Sequence, residues 1–341
     1  MRSTKYFSLI FFLMLATLVL PRNKTIAQGY YFYNNGYYES QTVIEGGISL
    51  GLVNGMTDVG GSKRGRANSG FSGDFTFNET NFAAGLYVNA TYKDFIAARF
   101  DVGIGRIEAA DSNLKGTTNS FAMGRYVRNL SFRTHIIEIG AGLELHPLML
   151  FDYIEREPPR LSPYILGGIS WINFNPKANL DGTWYELEPL RLEGQGFSEY
   201  PNRDRYKKHT FAVPYGFGLR YEASQYLNLR LEVVKHSLFT DYLDDVSKEI
   251  WVDPALFDKY LSPSQAAIAK QLYNRSTVIN PPRNTRPRGK SHDNDAFWSV
   301  NIKIGININR VRNKMGFTGR SGDGSSGKGL RKKVTCPSAV L

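Results

Sequence analysis

Cysteine is all but missing from this 341-residue chain: Cys336 stands alone. One thiol cannot close an internal disulfide or build a multi-thiolate metal site. Histidine is scarce as well, and His135, His146, His209, His236 and His292 show no His-x-x-x-His or Cys-His ligand spacing. No phosphate-binding glycine loop or nucleophile elbow occurs, and Asp241, Asp244 and Asp245 lack the spacing and glycine of an EF-hand. No catalytic residue, metal ligand or cofactor is therefore expected. Beyond residue 20 no apolar run is long enough for a transmembrane helix.

Charge is abundant but sits at the ends. The formal net charge is +11. Residues 1–27 hold Arg2, Lys5, Arg22 and Lys24 and no acid, while the stretch from Arg310 to Leu341 carries eight bases and one acid. Between them the chain is balanced at 30 against 30. A basic groove running over the protein is excluded, and no nucleic-acid partner is expected.

Arg2 and Lys5 precede a 15-residue apolar run, Tyr6 to Leu20, and a small-residue pattern follows at Thr25-Ile26-Ala27. This reads as a secretory signal peptide over 1–27, with the mature chain starting at Gln28; an uncleaved anchor is the alternative. An aromatic segment with Tyr30, Tyr31, Phe32, Tyr33, Tyr37 and Tyr38 occupies 28–40. It suits an interfacial belt, a loose leader or a docking element. The 311–341 tail is basic and Gly/Ser-rich, too poor in apolar residues to fold alone.

From 41 to 310 alternation at period two recurs eight times. The clearest case sets Trp298, Val300, Ile302, Ile304, Ile306 and Ile308 against Ser299, Asn301, Lys303, Gly305, Asn307 and Asn309. The other segments lie near 44–52, 82–92, 96–105, 137–145, 164–174, 211–222 and 227–233. The polar parity of these strands carries eleven glycines and the apolar parity two. Glycine is depleted on exposed strand faces, whereas a narrow eight-stranded interior has room for little else.

The same parity holds Glu45, Asp101, Glu138, Glu144, Glu222 and Glu232 beside Arg99, Arg220, Arg230 and Lys303. Six acids facing four bases can pair, while isolated buried charges would cost several kcal/mol each. The expectation is an all-β chain: an eight-stranded antiparallel transmembrane β-barrel of outer-membrane type, with its charges inside and apolar residues toward outer-membrane lipid. A soluble lipocalin-type barrel is the rival. An interior this narrow and charged argues against a pore.

Connection lengths mostly alternate long and short: Asn54 to Glu79, Lys93-Asp94, Ala110 to Ser131, His146 to Arg160, Pro176 to His209, Ala223 to Gln225, Asp241 to Asp295. Long extracellular loops and short periplasmic turns are the outer-membrane habit, which puts both termini in the periplasm. The 146–160 connection fits least well. Asp253-Pro254 and Ser262-Pro263-Ser264-Gln265 predict two short helices in the last loop, near 254–261 and 263–274. His236-Ser237 near a rim is the one hint of a lipid-modifying enzyme, and a structural histidine explains it more simply.

Four runs resemble, in order and spacing, the PorG-like outer-membrane barrels of the Bacteroidota type IX secretion and gliding machinery. They are RNLSFRT (Arg128 to Thr134), PYILGGISWINFNPKA (Pro163 to Ala178), LEGQG (Leu192 to Gly196) and TDYLDDVS (Thr240 to Ser247). Asp241, Tyr242, Leu243, Asp244, Asp245, Val246 and Ser247 are the most specific part, with Glu193, Gly194 and Gln195 beside them. Leu192 stands where that family usually has Thr. The resemblance implies a non-enzymatic role: anchoring periplasmic ring subunits, a PorK-like lipoprotein and a PorN-like protein, to the outer membrane. It implies no small-molecule substrate. A generic barrel for adhesion or envelope integrity is the alternative function, with a lipid-modifying enzyme behind it. Ring contact is expected from 28–40, 146–160 or the tail.

Overall fold

The computed structural model describes residues 42–63, 79–150, 159–224, 226–276, 288–290 and 293–308. The chain divides into units 1–39 and 40–341. The signal peptide, the aromatic segment and the basic tail lie outside the described residues.

Alternation at period two gives eight long strands: β1 (Thr42–Met56), β2 (Asn81–Tyr92), β3 (Ile96–Ala110), β4 (Ser131–Leu145), β5 (Leu161–Leu180), β7 (His209–Glu222), β8 (Leu227–Leu238) and β9 (Ala296–Asn307). A short strand β6 (Thr183–Glu186) folds back on β5. All pairings are antiparallel in the order β4-β3-β2-β1-β9-β8-β7-β5, and β4 pairs with β5 to close the ring. Closure leaves no unpaired sheet edge in the barrel. The tight β2–β3 connection places Lys93 and Asp94 at φ 47° and 59°, the left-handed geometry that matches strand twist.

The two faces are sorted as the alternation predicts. Leu86 is 63% exposed and Phe217 62%, while Lys303 is 3% and Arg230 2%. Every barrel strand presents large apolar side chains outward. So extensive an apolar surface has no place in water, and strands of 12 to 20 residues exceed the ~9–11 needed to span. The chain is a transmembrane β-barrel of outer-membrane type. No described helix is long and apolar enough to cross a membrane.

The structure departs from the sequence reading at the loop end. β5 continues six residues past Phe174 and turns at Asp181-Gly182 into β6. Inside the barrel at this end the lumen is apolar, closed by Val53, Ile107, Ile136, Ile172, Phe174, Leu238 and Phe297. Charge therefore fills only part of the interior. The described parts of the long loops lie over it: α1 (Ser120–Arg128) packs beside the turn Asp111–Leu114, while α2 (Ala255–Tyr260) and α3 (Pro263–Leu272) share that same core through Phe257 and Leu272, together with Leu243, Val246 and Val252. The two predicted last-loop helices are α2 and α3. Ser262 and Gln265 form the expected reciprocal cap on α3; α1 was not read from the sequence.

Candidate functional site

Strand parity brings seven of the ten predicted interior charges into one network. Arg230 donates to Glu45 at 2.8 Å and to Glu144 at 2.8 Å. Arg99 reaches Asp101 at 2.7 Å, Glu144 at 3.1 Å and Glu232 at 3.2 Å. Lys303 closes the circuit onto Asp101 at 2.6 Å and Glu232 at 3.1 Å. Four carboxylates thus meet three cations. The balance is made with hydroxyls and amides: Tyr87 donates to Glu45 at 2.5 Å, Tyr164 to Glu232 at 2.6 Å, Asn89 to Glu144 at 2.9 Å and Asn228 to Glu45 at 2.7 Å. Buried charges persist only when paired and hydrogen-bonded in this way.

Glycine makes the room. A Cβ on Gly305 would overlap the Glu45 carboxylate and the Tyr87 hydroxyl, and one on Gly218 would overlap the Tyr164 ring. Gly305 and Gly218 thus serve neighbouring long side chains, whereas a Cβ on Gly85, Gly142, Gly168 or Gly216 would meet the backbone of the adjacent strand.

Three predicted interior charges stand apart from this circuit. Glu138 pairs with His236 at 2.9 Å, and the other ring nitrogen of His236 lies 3.1 Å from the Ser299 hydroxyl. Arg220 is buried and Glu222 half-buried toward the short-turn end. His146 repeats the pattern of His236, 3.1 Å from Ser162 and 3.4 Å from Glu144. Both histidines were legible from parity, since 236 shares the inward register of 230, 232 and 234. Ser237 lies on the opposite face of β8 and does not meet His236.

A Ser–His–Glu chain is also the layout of a nucleophilic triad. Here Asn301 donates to Ser299 at 2.9 Å, Phe297 stacks on His236 at 4.2 Å, and the side chains face a lumen cavity of about 110 Å³. That cavity lies between the charge circuit (Arg99, Asp101, Glu232, Lys303) and the apolar closure at Phe297 and Ile136. Its opposite wall is bare glycine backbone, Gly85, Gly103, Gly140, Gly142 and Gly168. The repetition of the pattern at His146 marks both histidines as bridges tying β4 carboxylates to other strands.

The second predicted group, on the loops, assembles into the heart of the cap. Glu193 is fully buried and accepts from the backbone N–H of Ser247 at 3.0 Å, from that of Lys248 at 2.9 Å and from Arg288 at 2.6 Å. Gly194 and Gly196 take φ of 71° and 74°, which turns the chain sharply around that carboxylate. Gln195 accepts from the Glu193 N–H at 3.1 Å. In the Asp-rich run, Asp244 accepts from Val59 and Val246 N–H, both at 2.9 Å, and Asp245 from the Tyr206 hydroxyl at 2.8 Å. Leu243 and Val246 enter the apolar core, and Tyr242 stacks on Tyr206 at 4.7 Å. This run is the interior of the cap.

Sequence reading missed the partners that complete the cap. Asp111 receives both Nε and Nη2 of Arg128, at 2.8 and 3.0 Å, together with the N–H groups of Gly60 and Leu130. Arg128 also donates to the Asp58 and Arg288 carbonyls, and Asp295 accepts from Leu243 N–H at 2.8 Å. Asp58, Asp111, Arg288 and Asp295 carried no periodic signal. Burial raises the Asp241 carboxyl to about 9, Asp245 to about 8 and Asp244 to about 7, with neighbouring carboxylates adding to the shift. Among the described residues no group of three or more His, Cys, Asp or Glu is arranged to hold a metal ion.

No protein-family model and no curated protein sequence matches the chain. Among solved structures it is similar to Neisserial surface protein A, at 10% identity over 79% of this chain and 98% of that one, with a TM-score of 0.33. It is also similar to the N-terminal β-barrel domain of Pseudomonas aeruginosa OprF, at 8% identity over 79% and 98%, TM-score 0.31. A third is Ail, the attachment invasion locus protein of Yersinia pestis, at 8% identity over 78% and 97%, TM-score 0.32. Likeness at this level says nothing of ligand or partner.

Proposed function

We propose that this barrel is a non-enzymatic, structural outer-membrane component of the type IX secretion machinery, holding periplasmic ring subunits of PorK-like and PorN-like type at the membrane. The observation that carries this reading is the interlock between two runs of the family resemblance, LEGQG and TDYLDDVS, the second its most specific part. Glu193 of one binds the backbone of Ser247 in the other. The resemblance therefore falls on residues that build one buried centre. A lumen crossed by a circuit of paired charges and closed by an apolar layer supports an anchoring role over that of a pore. Both runs lie on the long-loop side, so ring contact falls to 28–40, 146–160 or the tail, with the long loops outside and both termini in the periplasm.

Affinity purification from outer membranes tests the proposal. The tagged barrel is expected to bring ring subunits with it, and its deletion to abolish export of type IX cargo. Normal export in the deletion strain, with no ring subunit recovered, overturns the reading and leaves a barrel for adhesion or envelope integrity.

A further inference from the structure

On one side of the barrel the outward-facing positions change from apolar to charged at the loop end. Ile104 on β3, Ile137 on β4 and Phe211 on β7 are exposed at 61%, 46% and 55%, as befits side chains against lipid. Two residues further toward the loops stand Arg106, His135 and His209. Beyond them a single row of register partners crosses four strands: Glu108 faces Arg133, Arg133 faces Lys177 and Lys177 faces Glu186.

The charges of this row do not balance. Arg106 and Arg133 share Glu108, and Lys177 and Lys208 share Glu186 at 3.3 and 2.9 Å. Four cations on two carboxylates leave a surplus of two positive charges. Hydrogen bonds from Lys208 and Asn175 hold Glu186 at about 2, so it stays ionised and does not enlarge the surplus on mild acidification. Arg133 lies over the Trp184 ring at 3.8 Å, which fixes its guanidinium on this face. The four basic side chains keep 29–44% of their surface open. The other side of the barrel differs: Phe82, 84% exposed, opens β2, and Phe239, 62% exposed, follows β8.

We propose that Arg106, Arg133, Lys177 and Lys208 form a site for the phosphate of a lipid headgroup, a phosphorylated glycolipid of the leaflet on the long-loop side. The argument for this occupant is continuity. The apolar girdle requires acyl chains against Ile104, Ile137 and Phe211, and the headgroup of such a molecule comes level with the row. A cationic surplus at that level is complementary to phosphate, and guanidinium and ammonium donors form charge-assisted bonds to it. Binding here would fix lipid to one flank of the barrel and so orient it in the membrane plane.

The test uses the full-length barrel in phosphatidylcholine nanodiscs, titrated with bisphosphorylated lipid A and read by native mass spectrometry. Phosphorylated lipid A is expected to bind at least tenfold more tightly than its dephosphorylated form, and the preference to shrink as salt rises. Arg133→Gln with Lys177→Gln should remove most of it, at about fivefold per lost charge. Glu186→Gln enlarges the surplus and should tighten binding, an effect that loss of folding cannot imitate. Equal binding of the two lipid A forms, or no change in either variant, overturns the proposal. Displacement by inorganic phosphate at equal concentration would place the recognition in the anion alone and overturn the lipid assignment.

Discussion

The backbone N–H of Ser247 donates to the carboxylate of Glu193 at 3.0 Å, joining two loops whose contact residues lie 54 positions apart. With Lys248 N–H and Arg288 on the same carboxylate, three segments of chain depend on one buried charge. Glu193→Ala leaves Arg288 buried without its ion partner, a loss of about 3–5 kcal/mol when a pair is broken from one side. The cap is expected to become protease-sensitive between 240 and 250 while the barrel keeps its heat-modifiable migration on gels. Trypsin mapping checks both halves, and an intact cap would contradict the assignment of Glu193 as its centre.

Arg230 carries the corresponding weight in the lumen. It is fully buried between Glu45 and Glu144, and Arg230→Met leaves Glu45 without a cation and Glu144 with Arg99 alone. The variant is expected to lose about 3–5 kcal/mol in urea unfolding from detergent micelles. Adding Glu45→Gln should restore part of that loss, because the stranded charge is then gone.

The cap should weaken as pH rises. An unfolded aspartate ionises near 3.9, whereas Asp244, Asp245 and Asp241 are raised to about 7, 8 and 9. Between those limits the folded cap holds more protons than the unfolded chain. Its stability therefore falls from pH 4 upward and levels off only above pH 9. Hydrogen exchange at residues 241–247 is expected to speed up from pH 6 to pH 9 after correction for intrinsic rates. Asp241→Asn, which mimics the protonated form, should flatten that slope.

His236→Ala removes the bridge between Glu138 and Ser299 and the stack on Phe297. The expected result is a barrel destabilised by about 1–3 kcal/mol, the cost of leaving a buried acceptor unsatisfied. Outer-membrane acyl composition should stay the same. A change in lipid acylation, or labelling of Ser299 by a fluorophosphonate, would instead make the Ser–His–Glu chain catalytic.

Much of the barrel was legible because period two is a strong local signal. Gly47, Gly85 and Gly305 marked the inside, and Leu86 and Ile302 the lipid side, before any contact was known. The β5–β6 hairpin was legible too, in Asp181-Gly182, a dipeptide suited to a turn with both residues at positive φ, 49° and 88° here. The strand that follows it, Thr183–Glu186, is only four residues long, too short for alternation to stand out from a loop. The apolar closure escaped for another reason: Ile136, Ile172 and Phe174 sit at inward positions of strands otherwise read as polar inside, and alternation does not say at which height a lumen changes character.

The sequence by itself determined which side of each strand meets lipid, because successive residues of a strand point to opposite faces and the choice of glycine or leucine is made locally. It did not determine who pairs with whom. Glu144 could have met Arg220 and instead receives Arg99 and Arg230, while Glu138 takes His236. Those choices follow from strand register and closure of the ring. The cap goes further in the same direction: Asp111 and Arg128 of one loop, Glu193 of a second and Arg288 of a third carry no repeat, and acquire their roles only where the folded barrel holds those loops over one opening.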